Sequence, residues 1–234
     1  HMTTPLFTIS PNFTGLIYVT GKDAFSFLQN LITNDLNLLD TQDIIHSCLL
    51  TPQGKYLHDF YIRRVNDGFA FACEGDARTY DLADRLSAYK LRSDVTIKPL
   101  TMQGDGWLKE EDDEYKVWDK ERIAKSQPDG SRDAEIGAST LAELNLDIST
   151  VSYTKGCYIG QELVARMHNR NLGKKHLVGV EFFDAPPAYG TDIGEFGQMR
   201  SSCEKFAMVL MARETEDSIK QGKIDNAPFR ILGL

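Results

Sequence analysis

The sequence predicts an α+β protein with a mixed or antiparallel sheet. Three observations carry this. Strand, helix and hairpin signals follow one another in the N-terminal part of the chain. Two local turns, Thr51-Pro52-Gln53-Gly54 and Asn66-Asp67-Gly68, join neighbouring β segments directly. From residue 174 on, the pattern changes to short β segments broken by Pro186-Pro187, Gly190, Gly194 and Gly197. That change reads as a separate small β-barrel or sandwich.

Each element has its own local reason. Leu16-Ile17-Tyr18-Val19 is aromatic and β-branched, lies between Gly15 and Gly21, and predicts a strand. A helix follows, capped by Thr20 or Asp23. Its face is built from Ala24, Phe27, Leu28, Leu31 and Asp35 at helical spacing. Ile44 to Leu50 reads as a strand running into the Thr51–Gly54 turn, with Tyr56 to Val65 returning. Alternation puts Tyr56, His58, Phe60 and Ile62 on one face and Leu57, Asp59, Tyr61 and Arg63 on the other. Phe69 to Cys73 is the next strand, Leu82, Leu86 and Tyr89 mark a second helix, and Val95–Ile97 a further strand.

The acidic run Glu110 to Glu114 reads as a solvated loop. Tyr115–Trp118 predicts a short strand, Gln127–Gly130 a turn, and Ser139 or Thr140 the cap of a short helix to Asn145. His176–Phe183, Cys203–Ala212 and Phe229–Leu232 are the clearest strands of the C-terminal part. The expected division is an α+β region at 2–173, in two interleaved lobes, and a barrel lobe at 174–234.

Composition narrows the function classes. The chain has 234 residues, 41% hydrophobic and 26% charged, and a net charge of −8. These values fit a globular core and exclude collagen, low-complexity disorder and a disulfide scaffold. The negative balance argues against a broad nucleic-acid footprint. Cys48, Cys73, Cys157 and Cys203 lie far apart, with no zinc-ligand spacing, and read as reduced thiols of a cytosolic-type compartment; no metal ligands are assigned. The apolar stretch near the start is far shorter than the ~18 residues of a membrane helix. His1-Met2 reads as a cloning scar, no secretory signal is evident, and a mitochondrial origin stays open.

One segment stands out chemically. In Lys155-Gly156-Cys157-Tyr158-Ile159-Gly160-Gln161-Glu162 two glycines bracket a cysteine and a tyrosine. Val151-Ser152-Tyr153 reads as a strand leading in, and Leu163 to Met167 as a helix leading out. Cys157 is then expected just before a helix N-terminus with Lys155 nearby, a setting that activates a thiol. The plainer reading is a buried cysteine in a tight strand-to-helix turn.

KGCYIGQE closely resembles the signature of the YgfZ-type folate-binding proteins, relatives of the glycine-cleavage aminomethyltransferase. Further segments are similar to the same family: Gly21–Ala24 with Phe27–Gln29 and Thr33-Asn34-Asp35, then Thr51–Lys55 with Asp59-Phe60. Arg122-Ile123 with Pro128–Gly130, and Arg166–His168 with Arg170, continue the likeness, which spans most of residues 6–180. The resemblance implies a three-lobed ring around a folate-sized hole, with the C-terminal β-barrel as its last lobe. It implies tetrahydrofolate, or a derivative, as cofactor. It also implies a role in assembly or repair of iron–sulfur clusters in client enzymes, some of them tRNA-modifying, through Cys157 with Lys155, Tyr158, Gln161 and Glu162 around it. The compartment it implies is the cytoplasm for a bacterial chain and the mitochondrial matrix for a eukaryotic one.

The sequence also departs from the transferase. Where the latter has two adjacent acidic residues, this chain has His58 followed by Asp59. A histidine does acid–base work near neutrality but is no substitute for a carboxylate facing a cationic intermediate. A folate-dependent aminomethyl or one-carbon transferase is therefore the alternative reading, and a pure binding scaffold a third. Folate needs planar surfaces, for which Tyr18, Phe60, Tyr61, Trp118 and Tyr158 are candidates. His58 and Asp59 are candidates for its polar edge, and Arg122 for the carboxylate clamp. Finally, Arg166, His168, Arg170, Lys174, Lys175 and His176 form a local basic patch, either a solvated linker or a surface for folate polyglutamate, an acidic partner or RNA. Asn169, Asn171 and Gly173 argue against one continuous helix through it.

Overall fold

A computed structural model of the chain describes residues 9–101, 107–170 and 173–233. His1-Met2 and the expected helix break at Asn171 lie outside them. The chain divides into two compact units, 1–107 with 148–165, and 108–147 with 166–234. The expected boundary at 174 differs, because residues 108–147 pack with the C-terminal strands.

The first unit is built on a five-stranded antiparallel sheet of order β2-β3-β4-β1-β5: β1 Gly15–Thr20, β2 Ile45–Leu50, β3 Tyr56–Val65, β4 Gly68–Cys73 and β5 Thr96–Thr101. Both predicted hairpins form. Thr51 N donates to Lys55 O and Gly54 N to Thr51 O, which closes the first turn. Val65 pairs with Gly68 across the second. One face of the sheet carries Ile17 and Val19 of β1, Phe60 and Ile62 of β3, and Phe69 and Phe71 of β4. On it pack α1 (Ala24–Gln29) through Phe27 and Leu28, and α2 (Ala77–Ala88) through Leu82, Ala83 and Leu86. Each such fully buried side chain contributes roughly 1.5–3 kcal/mol over the exposed state, so this face anchors the unit.

Helix α1 is shorter than its sequence periodicity predicts. The Gln29 side chain leaves the helical line, accepting from Leu36 N at 3.0 Å and donating to Asp35 Oδ1 at 2.6 Å. It thereby staples the turn through Thr33-Asn34-Asp35, which leads into a 3₁₀ turn over Leu36–Asp40.

In the second unit, Tyr115–Trp118 is not a strand. Residues Asp113–Ala124 form α3. The aromatic and β-branched composition misleads because Asp113 and Glu114 complement the helix dipole at the N-terminus and Arg122 does so in the last turn. The acidic run is thus partly the first turn of a helix. Tyr115, Asp119, Arg122 and Ile123 form its buried stripe. Thr140 and Glu143 make the reciprocal bonds of a capping box, yet residues 141–145 remain turns and no helix follows.

The C-terminal strands are β6 Lys175–Phe182, β7 Gln198–Cys203, β8 Phe206–Ala212 and β9 Phe229–Ile231, in a four-stranded antiparallel sheet of order β7-β8-β6-β9. Strand β7 has no counterpart in the sequence expectation. The core here is Val178, Val180, Phe182, Met199, Val209, Met211 and Phe229. Helices α4 (Gln161–Arg170) and α5 (Arg213–Lys220) complete the elements. No helix among the described residues is long and apolar enough to cross a membrane.

Candidate functional site

Three separated sequence segments meet in the first unit: Thr33-Asn34-Asp35, Thr51–Lys55 and Lys155–Glu162. The Thr33 hydroxyl, fully buried, donates to Thr150 O at 2.6 Å and accepts from Cys48 N at 2.9 Å. Ser152 N donates to Thr33 O at 3.0 Å, and the Asn34 amide reaches His46 O and Ser149 O. The expected strand at Val151–Tyr153 is therefore a loop, held by side-chain and single backbone bonds rather than a ladder.

Lys155 ties the signature to the same turn. Its Nζ donates to Ile32 O and to Asn34 O, both at 2.8 Å, and lies 5.2 Å from the centre of the Tyr158 ring. Burial lowers the ammonium to about 8, with Asp35 acting in the opposite direction. Tyr158 itself is buried, and burial pushes its hydroxyl up. At the far end of the signature, Gly160 has φ +84°, and a Cβ there would lie 2.7 Å from Thr51 O and 3.0 Å from Gly54 Cα. Only glycine lets the Thr51–Lys55 turn and the signature approach this closely.

Cys157 is exposed, while Cys48, Cys73 and Cys203 are buried. The plainer reading of Cys157 as a buried thiol is overturned. The expected activation is also rearranged: α4 begins only at Gln161, and dipole effects fade within a helix's first turn. Lys155 is committed to carbonyls. Gln161 and the exposed Glu162 open α4, with Glu162 complementing its dipole. The site thus presents a thiol on a loop whose base is fixed by buried hydrogen bonds.

The folate candidates separate sharply. Asp59 and His58 point to opposite faces of β3, as alternation requires. His58 is buried on the helix side, 2.7 Å from Asp81 of α2, and burial holds it down at about 4, so it is neutral near pH 7. Phe60 lies on that same side, stacked on Phe71 at 4.6 Å in the core. Neither residue lines an open surface.

Asp59 faces the other side, with half-buried Tyr18 and Tyr61, over the small Ala70 and Ala72. Its Oδ2 is 2.8 Å from His46 Nε2, its Oδ1 accepts from the Tyr56 hydroxyl, and the His46 ring stacks on Tyr61 at 4.1 Å. Sequence reading missed His46. A register shift between Leu49 and Leu50, beyond the Thr51–Lys55 turn, is what sets it opposite Tyr61.

Arg122 and Trp118 lie in the second unit. The Arg122 guanidinium is buried, donating to Asp119 Oδ1 and Asp133 Oδ2 at 2.7 Å each, to Ser201 Oγ at 2.7 Å and to Gln127 O. Two carboxylates neutralise it and four of its five N–H donors are taken, which makes it a structural node of the second unit. Trp118 packs edge-on against Tyr115 and lies beneath Arg122. Of the basic patch, Arg166, His168 and Arg170 are exposed on α4, and Lys174 and Lys175 are exposed beyond it. His176 turns inward to Glu216 at 3.0 Å and Asn145 at 2.8 Å. Among the described residues no group of three or more His, Cys, Asp or Glu side chains is arranged to hold a metal ion.

No protein-family model matches the chain. Among curated proteins it is similar to the iron–sulfur cluster assembly factor IBA57, mitochondrial, of Homo sapiens, at 28% identity over 76% of this chain and 67% of that one. The homolog of Mycosarcoma maydis is 26% identical over 76% of this chain and 59% of its own length. The tRNA-modifying protein YgfZ of Buchnera aphidicola subsp. Baizongia pistaciae is 25% identical over 76% and 74%. The chain thus spans about three fifths to three quarters of these relatives. A solved structure, the glycine cleavage system aminomethyltransferase T from Bartonella henselae, superposes with a TM-score of 0.66 over 86% of this chain and 76% of that one, at 14% identity. It shows a shared fold. These homologues match the YgfZ-type and aminomethyltransferase-like resemblance carried by KGCYIGQE and its companion segments.

Proposed function

We propose that this homologue of iron–sulfur assembly factors and of YgfZ is a tetrahydrofolate-binding accessory protein for assembly or repair of iron–sulfur clusters in client enzymes, tRNA-modifying ones included, acting through Cys157. The observation that carries the reading is the convergence of the three motif segments beneath one exposed thiol. An exposed cysteine on a rigid base is able to meet a cluster or thiol carried by another protein. A single cysteine does not hold a cluster alone, so the cluster is cargo and the client supplies the remaining ligands.

Folate is the finer part of the proposal. The face of the first sheet opposite α1 and α2 has a chemistry that fits it: planar Tyr18, Tyr61 and His46, the buried carboxylate Asp59, and the cations Arg63 and Lys98 in register on the same side. The planar groups would hold the pterin, and the cations the glutamate tail. When bound, tetrahydrofolate supplies a one-carbon carrier or a two-electron reductant. Closure of the C-terminal sheet into a barrel, and the ring of lobes, belong to the same proposal and rest on the aminomethyltransferase-like fold. The compartment is part of it too: the mitochondrial matrix for a eukaryotic chain, as the mitochondrial human and fungal relatives support, or the bacterial cytoplasm.

Turnover as a one-carbon transferase is not the favoured reading, because His58 is locked on the helix side. Complementation of a strain lacking the gene tests the main proposal. Wild type restores cluster-dependent enzyme activity and Cys157→Ser does not. Full restoration by Cys157→Ser, at equal protein level, overturns the thiol's role.

A further inference from the structure

On the face of the first sheet opposite α1 and α2, the histidine paired with Asp59 is a residue that none of the motif segments contains. The backbone N–H of Asp59 donates to the Tyr56 hydroxyl oxygen at 3.2 Å, so the Tyr56 proton points to Asp59 Oδ1. The other carboxylate oxygen, Oδ2, sits 2.8 Å from His46 Nε2. A carboxylate accepts, so Nε2 carries the proton and the lone pair of the neutral ring lies on Nδ1. Among the described residues Nδ1 meets no hydrogen-bond partner. The one buried side-chain nitrogen or oxygen without a partner is Arg78 Nε, so Nδ1 is open to solvent. The ring is held flat against Tyr61 at 11° between planes and is half-buried, which fixes the direction of that lone pair.

We infer that His46, oriented by Asp59, accepts a hydrogen bond from a planar, N–H-bearing heterocycle on this face, the pterin of tetrahydrofolate; the inference rests on the folate reading above. An acceptor at Nδ1 selects a donor and turns away carboxylate and phosphate oxygens. The pterin edge, with its amino group and ring N–H, is a donor of that kind. Tyr18 lies on the same side of the sheet, with only Ala70 and Ala72 between its strand and Tyr61. Within this arrangement Asp59 is a positioning residue, and His46 is the group that touches ligand.

Titratable groups around the pair are Tyr56 on the same strand as Asp59, Tyr61 stacked on His46, and Cys48 opposite Asp59 on β2. Burial and the Asp59 charge push Tyr56 and Cys48 well up, so both stay protonated and neither competes for the His46 proton.

Calorimetric titration with 5-formyltetrahydrofolate tests this in wild type, His46→Leu and His46→Gln. Wild type binds. His46→Leu binds roughly 10-fold more weakly, the equivalent of one lost hydrogen bond. His46→Gln can turn its amide N–H to Asp59 and its carbonyl outward, so it stays within about threefold of wild type. Nitrogen-15 NMR of the free protein shows the Nε2–H form of His46, independently of any ligand and of how the variants fold. Wild-type affinity in His46→Leu, or an Nδ1–H ring in the NMR, overturns the role of His46. Failure of wild type itself to bind overturns the folate reading, while the NMR result still decides the tautomer.

Discussion

Two glycines of KGCYIGQE face opposite constraints, and alanine at each should separate them. At Gly160 the backbone has φ +84°, a region that costs an L-residue about 1–2 kcal/mol. An added Cβ would also sit 2.7 Å from Thr51 O, 2.9 Å from Leu50 Cβ and 3.0 Å from Gly54 Cα. Two of these are backbone atoms that cannot rotate away, so overpacking adds about 1–3 kcal/mol. Gly160→Ala is thus expected to lose roughly 2–5 kcal/mol, near the exceptional end for single substitutions. Gly156 meets nothing within 4 Å of a Cβ and is not at positive φ, so Gly156→Ala should stay within about 0.5 kcal/mol of wild type. Urea denaturation measures both, read as a midpoint shift at unchanged slope. Equal midpoints for the two variants, or a Gly160→Ala loss below about 0.5 kcal/mol, would refute the packing of signature on hairpin.

Three further outcomes follow from the same geometry. Iodoacetamide should label Cys157 in the native protein within the first equivalents, whereas Cys48 and Cys73 react only on unfolding, as peptide mass mapping would reveal; native labelling of Cys48 contradicts the fold. Thr33→Val removes the acceptor of Cys48 N–H and the donor to Thr150 O, and a thermal melt should show a loss of about 1–3 kcal/mol; no measurable shift would mean these bonds do not anchor the 148–160 loop. His58 is held at about 4 in the folded protein against the ordinary 6.5, so the unfolded chain binds more protons between those values. Its contribution is complete above pH 6.5 and is lost as the pH falls through about 4. Wild type should therefore lose stability in that window faster than His58→Gln, and parallel acid titrations would count against a buried neutral imidazole.

Much of the first unit was legible because its signals are local. Thr51-Pro52-Gln53-Gly54 and Asn66-Asp67-Gly68 specify hairpins from a few residues each, and the alternation in Tyr56–Val65 correctly divides His58 from Asp59. The α3 segment was misread because Tyr115, Val117 and Trp118 carry strand propensity, which the acidic N-terminal turn and the burial of Tyr115, Asp119, Arg122 and Ile123 override. Strand β7 escaped because Gln198–Cys203 is largely polar; its Arg200 and Ser201 are both buried against Asp133, a partner far away in sequence.

By itself the sequence determined the α+β class, the hairpins and the motif segments that mark the family resemblance, since each is written in neighbouring residues. Tertiary structure alone decided which of those residues are chemically available. Arg122 became a buried node because Asp119 and Asp133 close on it, and Cys157 stayed exposed because Lys155 and Thr33 hold its loop from beneath. His46 emerged beside Asp59 only through strand register. The physical reason is common to all three. A side chain's reactivity depends on which hydrogen-bond partners reach it through space, and those partners come from segments remote in the chain.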